Sequence, residues 1–413
     1  MTIAKKKLGL PAQMGIGLVL GAAVGLIVQN MSGMDASWFK PVGDLFIRLI
    51  RMIVVPLVFC SIVSGAASMG NASKLGGIAV RCLVYFTLTT AVAVVVGLVV
   101  ANVMQPGAGV PLPADLAEVK AVVPPSLSKT LLEIVPLNPF GAMSSGNLLQ
   151  VLFFAIFLGF MLSAIGDKAR TVVNFFEEMN HVMTRMTAAV MRVAPIGVFA
   201  LIAYTVGSFG ISILLPLAKL ILAVYIAAVI HICIVYLPLV KYFTKASFKA
   251  YFKAMAEPLL LAFTTCSSAA ALPANMRAAR RLGADKDVTS FAVPLGTTVN
   301  MDGAALYLGI AAIFVAEVYG MPLTFDQQIT VLIMSLLASV GSVGVPGSAL
   351  IVMTMVFAQI GLPMEGIGLV AGVDRILDMA RTTLNVMGDS TGAIVVSHAS
   401  GQADPEFAAE DAA

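Results

Sequence analysis

The segment DRILDMARTTLNVMGDS, residues 374–390, gathers more groups able to do chemistry than any other stretch of a largely apolar chain. Asp378, Arg381, Thr382, Asn385 and Asp389 stand at i, i+3, i+4, i+7 and i+11. At about 3.6 residues per turn, that spacing places all five on one helix face. A guanidinium holds a carboxylate through a planar fork, and a carboxylate one turn away can hold an ammonium group. Arg381 and Asp378 would together read the two ends of an acidic amino acid. The same two side chains would also serve as a structural ion pair in a helix bundle, and their spacing alone leaves both readings open.

Three further constellations bear on that choice. In TTVNMDG (297–303), Asn300 and Asp302 sit in a stretch flanked by Gly296 and Gly303. Unwound carbonyls beside a carboxylate make an oxygen-only cage suited to a hard cation, and Asp389 offers a second carboxylate. Thr89 and Thr90, in VYFTLTTAVAV, add hydroxyls to an apolar run; packing or back-bonding to the preceding turn accounts for them equally well. In CSS (266–268), hydroxyls and N–H groups near two helix ends could hold a carboxylate.

The elements that must position these groups are membrane helices. Of 413 residues, 59% are hydrophobic and 11% charged, and the mean hydropathy is +0.97. A soluble chain of this length needs far more polar surface. The apolar residues come in blocks, and a run of about 20 spans a bilayer. Blocks near 11–29, 42–68, 78–104, 147–165, 184–207 and 212–240 predict spans, followed by the basic segment KYFTKASFKAYFK. Two interrupted regions come next: AEPLLLAFTTC and AAALPANM around CSS, and residues 328–362 around ASVGSVGVPGS. Neither arm of the first can cross a bilayer alone. A span near 289–318, broken at TTVNMDG, lies between them, and a last span near 364–397 follows. Two broken hairpins, each followed by a helix with buried polar groups, read as an internal repeat, the pattern that points to a transporter's binding site. Two pairs of ordinary full-length helices are the competing reading.

The first apolar run lacks a small-residue cleavage site and is expected to stay as an uncleaved helix. Lys5, Lys6, Lys7, Lys74, Arg81, Lys168, Arg170, the 241–253 lysines, Arg277, Arg280, Arg281 and Lys286 fall on one side of these spans; Lys40, Lys120 and Lys129 fall on the other. Positive charge marks the cytoplasmic side, so both termini are expected there, with the two hairpins entering from opposite faces. The tail ADPEFAAEDAA is expected to be solvated and disordered. A net charge of +3 gives no reason to expect a nucleic-acid partner, and four scattered cysteines and three isolated histidines show no metal-ligand spacing.

From about Leu45 to Val396 the chain resembles the glutamate transporter family, sodium- or proton-coupled symporters of acidic amino acids and dicarboxylates. The motifs that carry the resemblance are TTCSSAAALP, PLGTTVNMDGAALY, ASVGSVGVPGS and DRILDMARTTLNVMGDS. It implies an all-α membrane protein of eight transmembrane helices plus two re-entrant helical hairpins, built from inverted repeats and assembled as a homotrimer among membrane lipids of the plasma (inner) membrane. By this resemblance residues 1–76 and 107–211 would form a scaffold. Residues 77–106 and 212–400 would form a transport domain that moves as a unit, and 401–413 a disordered tail. Arg381 would bind the substrate's side-chain carboxylate and Asp378 its amino group. Asn385, Thr382 and Ser268 would hold the main-chain carboxylate and nearby polar atoms, under the backbone of Val343 and Gly344. Co-transported Na+ would occupy three sites. One is Asp389 with carbonyls of Gly296, Asn300 and Asn385. The second is the carbonyls of Thr298, Ser339, Val340 and Ser342. The third is Thr89, Thr90, Asn300 and Asp302 with the carbonyl of Phe86.

The sequence departs from the family pattern at three positions. Ala304 stands where carriers of acidic amino acids commonly have threonine and neutral-amino-acid relatives have alanine. Cys266 replaces the serine or arginine usual at the first hairpin tip. Leu308 stands where mammalian glutamate carriers place a glutamate linked to proton coupling, which argues against that proton route. The expected function is sodium-driven uptake of L-aspartate or L-glutamate. Alternatives are a proton-coupled glutamate or C4-dicarboxylate symporter, which Asp389 opposes, and a neutral amino acid carrier, which Ala304 permits and Arg381 opposes. A channel would need a carbonyl filter or an acidic ring, and an enzyme a nucleophile–base pair or metal ligands; the sequence offers none of these.

Overall fold

The computed structural model describes residues 10–31, 35–68, 76–109, 132, 135–210, 213–244, 247–339 and 348–401. Among them there is helix and no strand, as expected where a bilayer leaves the backbone no partner but itself. Among the described residues four stretches are long and apolar enough to cross a membrane: Gln13–Asn30, Gly77–Met104, Leu214–Thr244 and Lys286–Val318.

One group of helices comprises α1 (Leu10–Asn30), α2 (Lys40–Ser68), α5 (Leu148–Ile165), α6 (Arg170–Met191) and α7 (Ala194–Phe209); between α2 and α5 the chain passes through α3 (Gly76–Met104) and α4 (Pro139–Ser145). α1 packs along α7, and α2 packs on α5, α6 and α7. Gly17, Gly21 and Gly25 line the α1 face toward α7, where a side chain would strike the carbonyls of Pro195, Phe199 and Ala203. Small residues every fourth position let two membrane helices approach at backbone distance.

The expected span at 184–207 is not one helix. α6 carries Arg170, Glu177, Glu178, His181 and Arg185 with a strongly amphipathic pattern, and the chain bends by 52° before Ala194–Ser208. Pro195, in the first turn of α7, cannot donate to the preceding turn, so the helix ends there.

The second group is built around a broken helix. α12 (Lys286–Val299) and α13 (Asp302–Val318) are interrupted at Asn300 and Met301, whose backbone leaves the helical region. An 18-residue apolar window within Lys286–Val318 is 94% buried, so this part of the element is the interior of the group rather than a face toward lipid. Around it pack α3, α8 (Leu214–His231) and α17 (Asp374–Ala399). α8 continues through a π-helical turn, Ile232–Tyr236, into α9 (Leu237–Thr244).

α10 (Phe248–Thr265) and α11 (Ser268–Arg281) pack on each other and on α17 as a hairpin. Its tip is Cys266, with φ +52°, the left-handed conformation that ends a helix. The hydroxyl of Ser267 then accepts from the Ala270 N–H and caps the next helix. α14 (Phe325–Ser339) and α15 (Ser348–Ile360) form a second packed pair; ASVGSVGVPGS lies largely outside the described residues. The expected last span is divided: α16 (Gly366–Ala371) precedes α17.

Candidate substrate and cation site

α17 turns its polar face into the second group, against the α12–α13 break and the α10–α11 hairpin. Arg381 is 2% exposed. Its Nη1 donates to Asp374 Oδ1 at 2.7 Å, and its Nη2 lies 3.1 Å from Asp378 Oδ1 in ion-pair range but without hydrogen-bond alignment. The guanidinium stacks over the Tyr307 ring, 4.3 Å from the centroid, and the Tyr307 hydroxyl donates to Asp374 at 3.5 Å. Two carboxylates and an aromatic face thus hold one charge rigid in a dry setting.

Asp378 is joined to its neighbours through one oxygen only. Oδ1 accepts from the Thr382 hydroxyl at 3.2 Å, while Oδ2 is buried and unpartnered among the described residues. A buried carboxylate oxygen without a donor is costly, so Oδ2 is chemically suited to an incoming ammonium group. Ser268 is buried in the first turn of α11, which packs against α17.

The α12–α13 break forms a second polar centre. The Asn300 carboxamide donates to the Asn385 carbonyl and to Asp389 Oδ1, both at 2.9 Å. The Asn385 side chain accepts from the Gly303 N–H at 2.8 Å and faces Met301 Sδ at 3.3 Å. The Gly296 carbonyl accepts from the Asn300 N–H at 2.8 Å. Asp389 Oδ2 and Asn300 Oδ1 remain buried without a partner among the described residues. A Cβ at Gly388 would collide with the Asn300 carboxamide and lie 2.6 Å from the Tyr236 hydroxyl, so only glycine lets α17 come this close.

Asp302 is the third centre. It accepts from Thr90 at 2.6 Å and Thr89 at 3.3 Å. Thr89 also back-bonds to the Phe86 carbonyl at 3.2 Å, so the functional and the helix-internal readings of that residue both hold geometrically. Two groups that the sequence did not single out complete the set. Tyr236 donates to Asp302 Oδ2 at 2.6 Å, and His231 Nε2 lies 3.4 Å from the same oxygen. In a regular α-helix, residues five apart diverge; the π turn at 232–236 adds the residue that returns both to one face. A histidine within an apolar run was the available signal.

The structure therefore brings Asp378, Arg381 and Thr382 together, Asn300, Asn385 and Asp389 together, and Thr89, Thr90, Phe86 and Asp302 together. Thr298 is half-buried, with its hydroxyl bonded to the Leu295 carbonyl at 3.0 Å. Ser339 ends α14, and Val340, Ser342, Val343 and Gly344 lie outside the described residues. Asp374, Arg375, Tyr307, His231 and Tyr236 are the members of this cluster that sequence reasoning left without a role. A cavity of about 320 Å³ lined by Lys40, Asp44, Arg48, Tyr204, Tyr319 and Glu365 lies elsewhere and shares none of these residues.

Residues 10–399 match the sodium:dicarboxylate symporter family. The chain is 40% identical over 409 residues to a proton/sodium-glutamate symport protein of Bacillus caldotenax, covering 97% of each. It is 38% identical over 395 residues to a proton/glutamate-aspartate symporter of Escherichia coli (strain K12), covering 93% of this chain and 90% of that one. A C4-dicarboxylate transport protein of Erwinia tasmaniensis is 36% identical over 392 residues, covering 92% of each.

Proposed function

Because this chain belongs to the sodium:dicarboxylate symporter family, we propose that it is a secondary active symporter for L-aspartate and/or L-glutamate, driven by the sodium gradient. It is an integral membrane transporter of the glutamate and dicarboxylate kind, not an enzyme. Arg381 takes the side-chain carboxylate and Asp378 the ammonium group. Ser268, Thr382 and Asn385, with Val343 and Gly344, take the remaining polar atoms of the substrate.

The observation that carries sodium coupling is that two side chains joined by a hydrogen bond, Asp389 and Asn300, each leave a buried oxygen, Oδ2 and Oδ1, without a partner among the described residues. Carboxylate and carbonyl oxygens suit a hard monovalent cation, and a bare carboxylate at this depth needs positive charge. Sodium here is cargo. Asp389 with carbonyls of Gly296, Asn300 and Asn385 forms one site. Thr298, Ser339, Val340 and Ser342 form another, and Thr89, Thr90, Asn300, Asp302 and Phe86 a third.

The chain works as a homotrimer in the plasma (inner) membrane with both termini cytoplasmic, its eight spans and two re-entrant hairpins arranged as inverted repeats. Residues 1–76 and 107–211 form the scaffold; 77–106 and 212–400 form the part that travels by an elevator motion. Support comes from the two helix groups, one built on α2 and one on the α12–α13 break.

Proton coupling, or a C4-dicarboxylate as cargo, is the second possibility. Asp302 favours it, since protein donors already engage both of its oxygens, as do relatives named for proton coupling and for C4-dicarboxylates. The test is uptake of radiolabelled aspartate, glutamate, succinate and serine into proteoliposomes under separately imposed sodium and proton gradients. Aspartate uptake that requires sodium is expected; uptake that follows only the proton gradient overturns the sodium assignment.

A further inference from the structure

Arg375 follows Asp374 on α17 and is 7% exposed. Its Nη2 donates to the Thr265 carbonyl at 3.1 Å, while Nε and Nη1 are buried with no partner among the described residues. The two nearby carboxylates are already committed: Asp374 and Asp378 both pair with Arg381. Arg375 therefore makes no contact ion pair among the described residues, whereas Arg381 makes two. Thr265 ends α10, so the negative end of that helix offsets part of the charge. A guanidinium with idle buried donors still carries a large desolvation penalty that an anion would relieve.

We propose that Arg375 is a specificity-determining residue that binds the substrate's main-chain carboxylate at the tip of the first hairpin. The inference rests on the functional reading above and extends it by one residue. Asp374, Arg375, Asp378 and Arg381 sum to zero charge, and an acidic amino acid brings two carboxylates and one ammonium group. The ammonium meets the free Oδ2 of Asp378, the side-chain carboxylate meets Arg381, and the main-chain carboxylate meets one edge of the Arg375 guanidinium, taking its idle Nε–H or Nη1–H together with the second hydrogen of Nη2. Location distinguishes the two guanidiniums: Arg381 faces Tyr307 on α13, whereas Arg375 is tied to the hairpin beside Cys266 and the Ser267-capped start of α11. An N-terminal helix end adds further N–H donors for the same carboxylate. A mere tether between α17 and the hairpin would need only Nη2.

The test uses the full chain in proteoliposomes, with competition of aspartate uptake by the two monoamides of aspartate. Wild type should prefer aspartate over both. Arg375→Gln, which can still donate to the Thr265 carbonyl, should weaken aspartate by about tenfold or more. It should erase the preference over the α-amide, isoasparagine, and leave the preference over the β-amide, asparagine. Arg375→Lys keeps the charge without the fork and should reduce the α-amide preference several-fold, which decides the matter if the glutamine variant does not fold. Either variant keeping both preferences within about threefold of wild type, or losing both equally, overturns the assignment in favour of a tether. Wild type that takes up no acidic substrate under either gradient would instead sink the functional reading, and is measured before any variant.

Discussion

The Asn300 carboxamide donates to Asp389 Oδ1 at 2.9 Å and leaves Oδ2 of the same carboxylate buried and unpartnered among the described residues. One hydrogen bond thus fixes the carboxylate's orientation while leaving half of its capacity open. Asp389→Asn removes the charge and keeps the shape. Aspartate affinity, titrated by calorimetry against sodium with choline as replacement, should rise steeply in wild type and flatten in the variant. Linkage also requires aspartate to raise sodium affinity by the same factor. Binding indifferent to sodium would refute this role for Asp389.

Arg381 is the contact ion-pair partner of both Asp374 and Asp378, so Arg381→Cys takes that partner from two buried carboxylates as well as from any substrate carboxylate. Breaking one buried pair costs ~3–5 kcal/mol. Binding of acidic amino acids should be abolished, with serine or alanine admitted in their place. Aspartate bound within a few-fold of wild type would remove Arg381 from the substrate site.

The free Oδ2 of Asp378 predicts discrimination against ligands without an ammonium group. Succinate presents two carboxylates to this oxygen and relieves nothing, so it should compete with aspartate only at far higher concentration. Comparable inhibition by succinate in an uptake assay would shift the assignment to C4-dicarboxylates.

Tyr236 gives Asp302 one of its two shortest hydrogen bonds, 2.6 Å. Tyr236→Phe should cost about 1.5–3 kcal/mol of stability, the usual worth of a bond to a charged group. If a cation also serves Asp302, added sodium should recover more melting temperature in the variant than in wild type, followed by detergent-phase thermal unfolding. Equal sodium shifts in both proteins would argue that Asp302 binds no cation.

Gly388→Ala places a methyl group against the Asn300 carboxamide and the Tyr236 hydroxyl. It should uncouple sodium from aspartate binding while the protein remains folded. Gly15→Ala, where nothing lies within 4 Å, is the control expected to behave as wild type. Normal sodium dependence in Gly388→Ala would show that the approach of α17 to the α12–α13 break is not tight enough to matter.

Local rules determined much of this protein from sequence. Hydropathy over long blocks required membrane helices, and the spacing of Asp378, Arg381, Thr382, Asn385 and Asp389 required one polar face. The breaks at CSS and TTVNMDG followed from the residues that interrupt the apolar runs, and the family resemblance named their partners. Tertiary structure decided what lies between segments distant in the chain. It set His231 and Tyr236 on Asp302 through a π turn that the apolar pattern does not reveal. It gave Arg381 a closer partner in Asp374 than in Asp378 and tied Arg375 to Thr265, 110 residues away. It also bent the chain ahead of Pro195 where hydropathy predicts one straight span. Periodicity fixes which face of a helix is polar, because that depends on neighbours within two turns. Which groups meet on that face, and which buried oxygen is left without a partner, depends on how the helices pack, and no short stretch of sequence contains that information.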